Sequence, residues 1–146
     1  MSGEDGQDRG PHPHALDIER ATVDNDTYRT VLWTGPNLQV TVMSIEPGGE
    51  VGLEVHGDHD QFLRVEAGRG RVQMGPAKDR LTFDREVEDD WAILVPAGSW
   101  HNLTNIGDGP LKLYSLYAPR EHPPGTVHAT KAEADAAEAA EDTATA

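Results

Sequence analysis

The stretch Pro96–Asn105, "PAGSWHNLTN", decides the fold. It follows the apolar run "WAILV" (91–95); Pro96 fixes the backbone where that run ends, and Gly98 permits a tight turn. The chain then resumes in extended form. Because successive strand side chains alternate sides, His101, Leu103 and Asn105 share one face.

The same period of two recurs from about Tyr28 to His128. In "NLQVTVMSIE" (37–46), Leu38, Val40 and Val42 alternate with Gln39 and Thr41, which predicts a half-buried strand, and "PGG" (47–49) turns the chain. Further strand-like runs are "TVLWTG", "VGLEVH", "QFLRVE", "GRVQM", "RLTF", "WAILVP", "WHNLTNI" and "LKLYSLY", separated by Gly, Pro and Asp clusters. Many short strands so punctuated predict an all-β sandwich or barrel of antiparallel strands. Two places look helical. "IERATVDNDTYRT" (18–30) is ambiguous, and "TKAEADAAEAAEDTA" (130–144) spaces Thr130 and Glu133 as a capping box, which predicts a fraying helix without a partner.

A chain of 146 residues suits one core. It contains no cysteine, so any metal must be held by nitrogen and oxygen. No run of about eighteen apolar residues occurs, and "MSGEDGQDRGPHPH" (1–14) lacks the order of a secretory signal, so a cytoplasmic protein with no membrane partner is expected. The net charge of −14 is concentrated in the flanks: residues 1–27 carry seven acids against Arg9 and Arg20, and residues 131–146 carry five against Lys131. Such flanks read as solvated segments, and the acidity argues against nucleic acid. The expected organisation is a mostly flexible acidic segment over 1–27, a barrel over 28–128 and an acidic, Ala-rich tail over 129–146.

The stretch "LEVHGDHDQF" (53–62) crowds two histidines, three carboxylates and a glutamine together. If "VGLEVH" is a strand, Glu54 and His56 project to one side, about 6.5 to 7 Å apart at their bases, with Leu53 and Val55 opposite. If "QFLRVE" pairs antiparallel with it, Gln61 lies near His56 across the ladder. His59 falls in the turn, at the mouth of a cavity. His101 is the fourth candidate donor. The opposing reading is a barrel whose interior polar residues hydrogen-bond one another. A desolvated pair of histidines with a carboxylate between them favours a metal.

"PAGSWHNLTN" resembles the second signature of the cupin superfamily, Pro-x-Gly-x-x-His-x-x-x-Asn, at every fixed position from Pro96, with Asp90 where a glycine usually opens it. The first signature runs Gly, five residues, His-x-His, three or four residues, Glu, six residues, Gly. Counted from Gly48, Glu54 stands at the first histidine, His56 at the second, Gln61 at the glutamate, and Gly68 closes the frame. The run from "VLWTG" through "EVHGDHDQFLRVEAG" and "VPAGSWHN" to "LYAPREHPPGTVHATKAEA" is similar to the small single-domain bacterial cupins related to mannose-6-phosphate isomerase. The resemblance implies a double-stranded β-helix, or jelly-roll, barrel with disordered or partly helical acidic termini, and a homodimer in which residues 28–34 are the candidate for strand exchange.

It also implies a divalent metal ion (Zn, Mn, Fe or Ni) held by Glu54, His56, Gln61 and His101. Two histidines, a carboxylate and an amide carry the same charge, −1, as the family's three histidines and a carboxylate. The expected partner is a small polar metabolite, with sugar or sugar-phosphate isomerisation as the first reading. An Fe-dependent dioxygenase and a non-catalytic ligand-binding barrel are the alternatives. His59, Asp60 and Lys112 are the candidates for proton handling. Trp100 and Phe62 either wall a pocket or pack the core. The segment "APREHPPGTVH" (118–128) either covers the barrel mouth, bringing His122 near the site, or returns along the surface. The sequence leaves open which face of "LKLYSLY" points inward. No basic cluster marks a phosphate pocket.

Overall fold

The computed structural model describes residues 8–145, with side chains to residue 140. In chain order the elements are α1 (Ile18–Asp24), β1 (Arg29–Thr34), β2 (Gln39–Ile45), β3 (Asp60–Ala67), β4 (Arg69–Gly75), β5 (Phe83–Glu88), β6 (Ala92–Val95), β7 (Trp100–Asn105), β8 (Leu111–Ala118), β9 (Val127–His128) and α2 (Lys131–Thr145). A six-stranded sheet in the order β6-β3-β8-β2-β1-β9 packs against a three-stranded sheet in the order β5-β4-β7, and every strand pair is antiparallel. The fold is thus all-β, the double-stranded β-helix expected. Its core lies between the sheets. Met43 and Ile45 of β2, Leu63 and Val65 of β3, and Leu111 and Leu113 of β8 meet Val72 of β4 and Leu103 of β7 there, each such burial stabilising the fold by about 1.5–3 kcal/mol.

The glycine frame does what its positions require. Gly68 joins β3 to β4 at φ +91, where a Cβ would come 2.7 Å from the Pro110 carbonyl oxygen. Gly98 turns the chain between β6 and β7 at φ +83.

Period and phase part company on β2. Gln39 and Thr41 are fully buried and face the interior with Met43 and Ile45, while Leu38 is exposed and Val40 half-buried. The interior beside the site is polar there, and α1 lies against the outer side of β2, β3 and β8. Val42, on that outer side, is 1% exposed. β8 resolves the open question of its faces. Leu113, Ser115 and Tyr117 point inward, and Lys112, Tyr114 and Leu116 outward.

Three expectations are corrected. "VGLEVH" is not a strand beside β3. It crosses to β7 through the isolated bridges Glu50↔Thr104 and Glu54↔His101, with one residue more on its side than on β7, the signature of a bulge. Residues 8–27, expected to be flexible, are built onto the barrel. The Asp8 carboxylate accepts from Thr34 N (2.9 Å), Thr34 Oγ1 (2.6 Å) and Gly125 N (2.9 Å), and Trp33 Nε1 donates to the His12 carbonyl (2.7 Å). The expected C-terminal helix, capped by Thr130 Oγ1 accepting from Glu133 N (3.2 Å), does have a partner: Ala134 is 2% exposed within the core. Residues 1–7 lie outside the described residues.

β5, "FDREVE", escaped the pattern because only Val87 in it is buried. As an edge strand it is tied to β4 by charge, with Arg69 Nη2 2.8 Å from Glu86 and Arg71 on Asp84.

Candidate metal centre

Glu54 and His101 are joined first through the backbone. Glu54 N donates to the His101 carbonyl (3.0 Å) and His101 N to the Glu54 carbonyl (2.9 Å). This puts their side chains side by side on the small sheet. Two residues on, the carbonyl of His56 accepts from Gly98 N (2.7 Å), so the turn after Pro96 positions the second imidazole too. Gln61 reaches the same cavity from the opposite sheet, on β3 between Val95 and Tyr117.

Glu54 Oε1 lies 3.3 Å from His56 Nε2 and 3.4 Å from His101 Nε2. Yet neither Nε2 makes a directed hydrogen bond, and the buried Oε1 of Gln61 has no donor. His101 Nδ1 is 3.1 Å from the Ser99 carbonyl oxygen. A carbonyl only accepts, so Nδ1 carries the proton and Nε2 offers its lone pair. His56 Nδ1 likewise faces Glu121 Oε2 at 3.0 Å. The two imidazole Nε2 atoms therefore converge on the Glu54 carboxylate, and Gln61, its amide oxygen without a donor, lines the same cavity as Glu54 and His101, a donor set that fits a divalent transition ion. The cavity lined by Glu54, Gln61, His101 and Tyr117 measures about 10 Å³, the size of a single ion or water.

Electrostatics set a proton against the metal at His56. Burial pushes the Glu54 carboxyl up, but the His101 and His56 imidazoles beside it outweigh this and hold it well below the usual carboxylate range. Burial would lower His56, but Glu121 and Glu54 push it up to about 10. Burial, helped by the charge of Arg29, pushes His122 down to about 3, so it is neutral at physiological pH.

Of the residues singled out in the sequence, Glu54, His56 and His101 are brought together, and Gln61 lines the cavity beside Glu54 and His101. His59 is not an exposed turn residue. It is 8% exposed and stacks on His56 with ring centroids 4.8 Å apart; its Nδ1 is held by Asp58 (2.8 Å) and its Nε2 faces Glu121 Oε1 (3.1 Å). Asp60 and Lys112 do not join the cluster. Asp60 is exposed and accepts from Ala97 N (2.9 Å), whereas Lys112 points outward and donates to the Asn25 carbonyl at the end of α1. Phe62 also faces outward, against Tyr114, because Gln61 takes the inner position.

Glu121 was missed. The prolines around it indicated a covering segment, but only the contacts show that Glu121 touches His56 and His59 while the neighbouring His122 sits against the Tyr117 hydroxyl (3.4 Å). Gln39, fully buried on β2, holds this segment in place. Its Oε1 accepts from Glu121 N and His122 N, and its Nε2 donates to the His122 carbonyl and Thr34 Oγ1.

A barrel of this topology with a histidine and carboxylate centre at its mouth defines a cupin. The chain belongs to the cupin family, whose cupin domain matches residues 41–117. It is 60% identical over 132 residues to Uncharacterized protein YrkC of Bacillus subtilis (strain 168), an alignment covering 90% of this chain and 71% of that protein. The crystal structure of BH2720 from Bacillus halodurans superposes with a TM-score of 0.88 at 59% identity, covering 89% of this chain and 98% of that one. KdgF from Halomonas sp. shares the fold, with a TM-score of 0.56 at 20% identity over 64% of this chain and 80% of that one. No helix among the described residues is long and apolar enough to cross a membrane.

Proposed function

We propose that this cupin holds a divalent metal ion on Glu54, His56, Gln61 and His101 and acts on a small polar metabolite, with aldose–ketose isomerisation of a sugar or sugar phosphate as the reaction. The carrying observation is the convergence of His56 Nε2 and His101 Nε2, both buried without a directed hydrogen bond, on the Glu54 carboxylate, with the unpartnered Gln61 Oε1 on a residue that lines the same cavity as Glu54 and His101. A metal bound there supplies Lewis-acid polarisation of a substrate oxygen. The rest falls to the chain. Glu121 and Ser99 orient the two imidazoles, and the Asp58-oriented imidazole of His59, close to Glu121, is the group for moving a proton. A homodimer is part of this reading. β1 pairs within its own chain with β2 and β9, so dimerisation by exchange of residues 28–34 would require that pairing to be traded for the partner's.

The test is elemental analysis of untagged protein, followed by turnover of aldose and ketose phosphates with and without chelator. Bound metal with chelator-sensitive isomerisation supports the reading. Oxygen uptake with Fe(II) and no isomerisation would transfer it to a dioxygenase, and metal-free protein that takes up no ion would end it.

A further inference from the structure

Arg29 of β1 is 3% exposed, and its backbone is paired with that of Met43. Residues opposite one another on an antiparallel ladder project to the same face. Met43 lines the cavity shared by Glu54, Gln61 and His101, so Arg29 also projects to the interior side. Its charge is felt at Tyr117, which lines that cavity, and at His122.

A guanidinium is always charged and carries five donors. The Nε of Arg29 has no hydrogen-bond partner, and among the described residues no carboxylate forms an ion pair with this side chain. Its close companion is the ring of Tyr28, 5.3 Å from Cζ to centroid. The two acids at the centre are engaged elsewhere: Glu54 lies against His56 and His101, and Glu121 against His56 and His59. Glu138 on α2 is exposed and interacts with Arg29 only through longer-range charge. A buried cation without a counter-charge among the described residues is costly to keep, and the fold keeps this one on the interior side of β1, paired with Met43 of the cavity wall.

We infer that Arg29 anchors the oxyanion, a carboxylate or a phosphate, of the small metabolite whose other oxygens approach the Glu54, His56 and His101 centre. The inference rests on the proposed function and sharpens it: the substrate is an anion rather than a neutral sugar. One buried arginine suffices where the sequence shows no basic cluster, since its planar fork matches two oxygens of a carboxylate or phosphate and acts in a low dielectric.

The full chain, treated with chelator, is titrated by calorimetry with inorganic phosphate and, separately, with acetate, which distinguishes the two oxyanions. The wild-type protein is expected to bind at least one of them. Arg29→Met, which removes the charge and keeps a long side chain, is expected to bind it roughly thirty-fold or more weakly while taking up metal as the wild type does. If the methionine variant fails to fold, Arg29→Gln is judged by the same criteria. Wild-type protein that binds neither anion, or a neutral variant that binds as tightly, overturns the inference. Metal content is read separately by elemental analysis. Anion binding lost on substitution in a protein that takes up no metal would uphold Arg29 and reject the metal centre.

Discussion

His56 Nδ1 lies 3.0 Å from Glu121 Oε2, a contact between the segment after the β7 bridge and the segment after β8. The carboxylate keeps the proton on Nδ1 and turns Nε2 toward Glu54 and His101. Glu121→Gln is therefore expected to weaken divalent-metal affinity about 10–100-fold with the circular dichroism spectrum unchanged. Calorimetric titration with Zn(II) or Mn(II) checks it; unaltered affinity would remove Glu121 from the site.

Metal uptake and protonation compete at His56. Without metal its pKa is raised to about 10, against burial, by Glu121 and Glu54. A raised pKa stabilises the folded state fully below the ordinary histidine value of about 6.5, and this contribution is lost as pH climbs through about 10. Chelator-treated protein is thus expected to melt progressively lower between neutral pH and pH 10. The metal-loaded protein should show a flatter profile, and metal binding near pH 7 should release about one proton per ion, measurable from the buffer dependence of the binding enthalpy.

Metal binding to the folded state alone raises stability by mass action, about 2.7 kcal/mol at a free ion concentration one hundred times Kd. Melting curves of the wild type should rise with added ion and fall with chelator. Glu54→Gln combined with His101→Ala should leave curves that ion and chelator do not move.

Gln39 makes four side-chain hydrogen bonds at zero exposure, three of them to the backbone of Glu121 and His122. Gln39→Leu keeps the volume but strands those groups. It is expected to cost about 2–4 kcal/mol in urea unfolding and to lower metal affinity as well, because Glu121 loses its support. Loss of stability with full metal affinity would show that the covering segment does not position Glu121.

Asp90 stands where the family frame usually has glycine, and its backbone adopts φ 75. A left-handed conformation disfavours any residue with a Cβ, and aspartate less than most. Asp90→Gly is expected to be more stable than Asp90→Ala by about 1–2 kcal/mol, read as a shift of the urea midpoint at constant m-value.

The sequence by itself determined the barrel and singled out Glu54, His56 and His101, which the fold brings together. Gly68 and Gly98 are demanded by local backbone geometry, the period of two sets which residues share a side, and the Pro96–His101 spacing survives whatever the strands pack against. These are properties of short stretches, so they can be read locally. The tertiary structure decided everything that depends on which side is in. On β2 the parity was legible and the phase was not, since Gln39 and Thr41 are buried on the interior face while α1 covers the outer side. Lys112 fell outside the site for the same reason: alternation on β8 leaves two choices, and only packing selects one. Glu121 and Arg29 reach the interior from far along the chain. No spacing rule connects them to His56 or to the cavity, because their proximity is created by the folding of one sheet over the other.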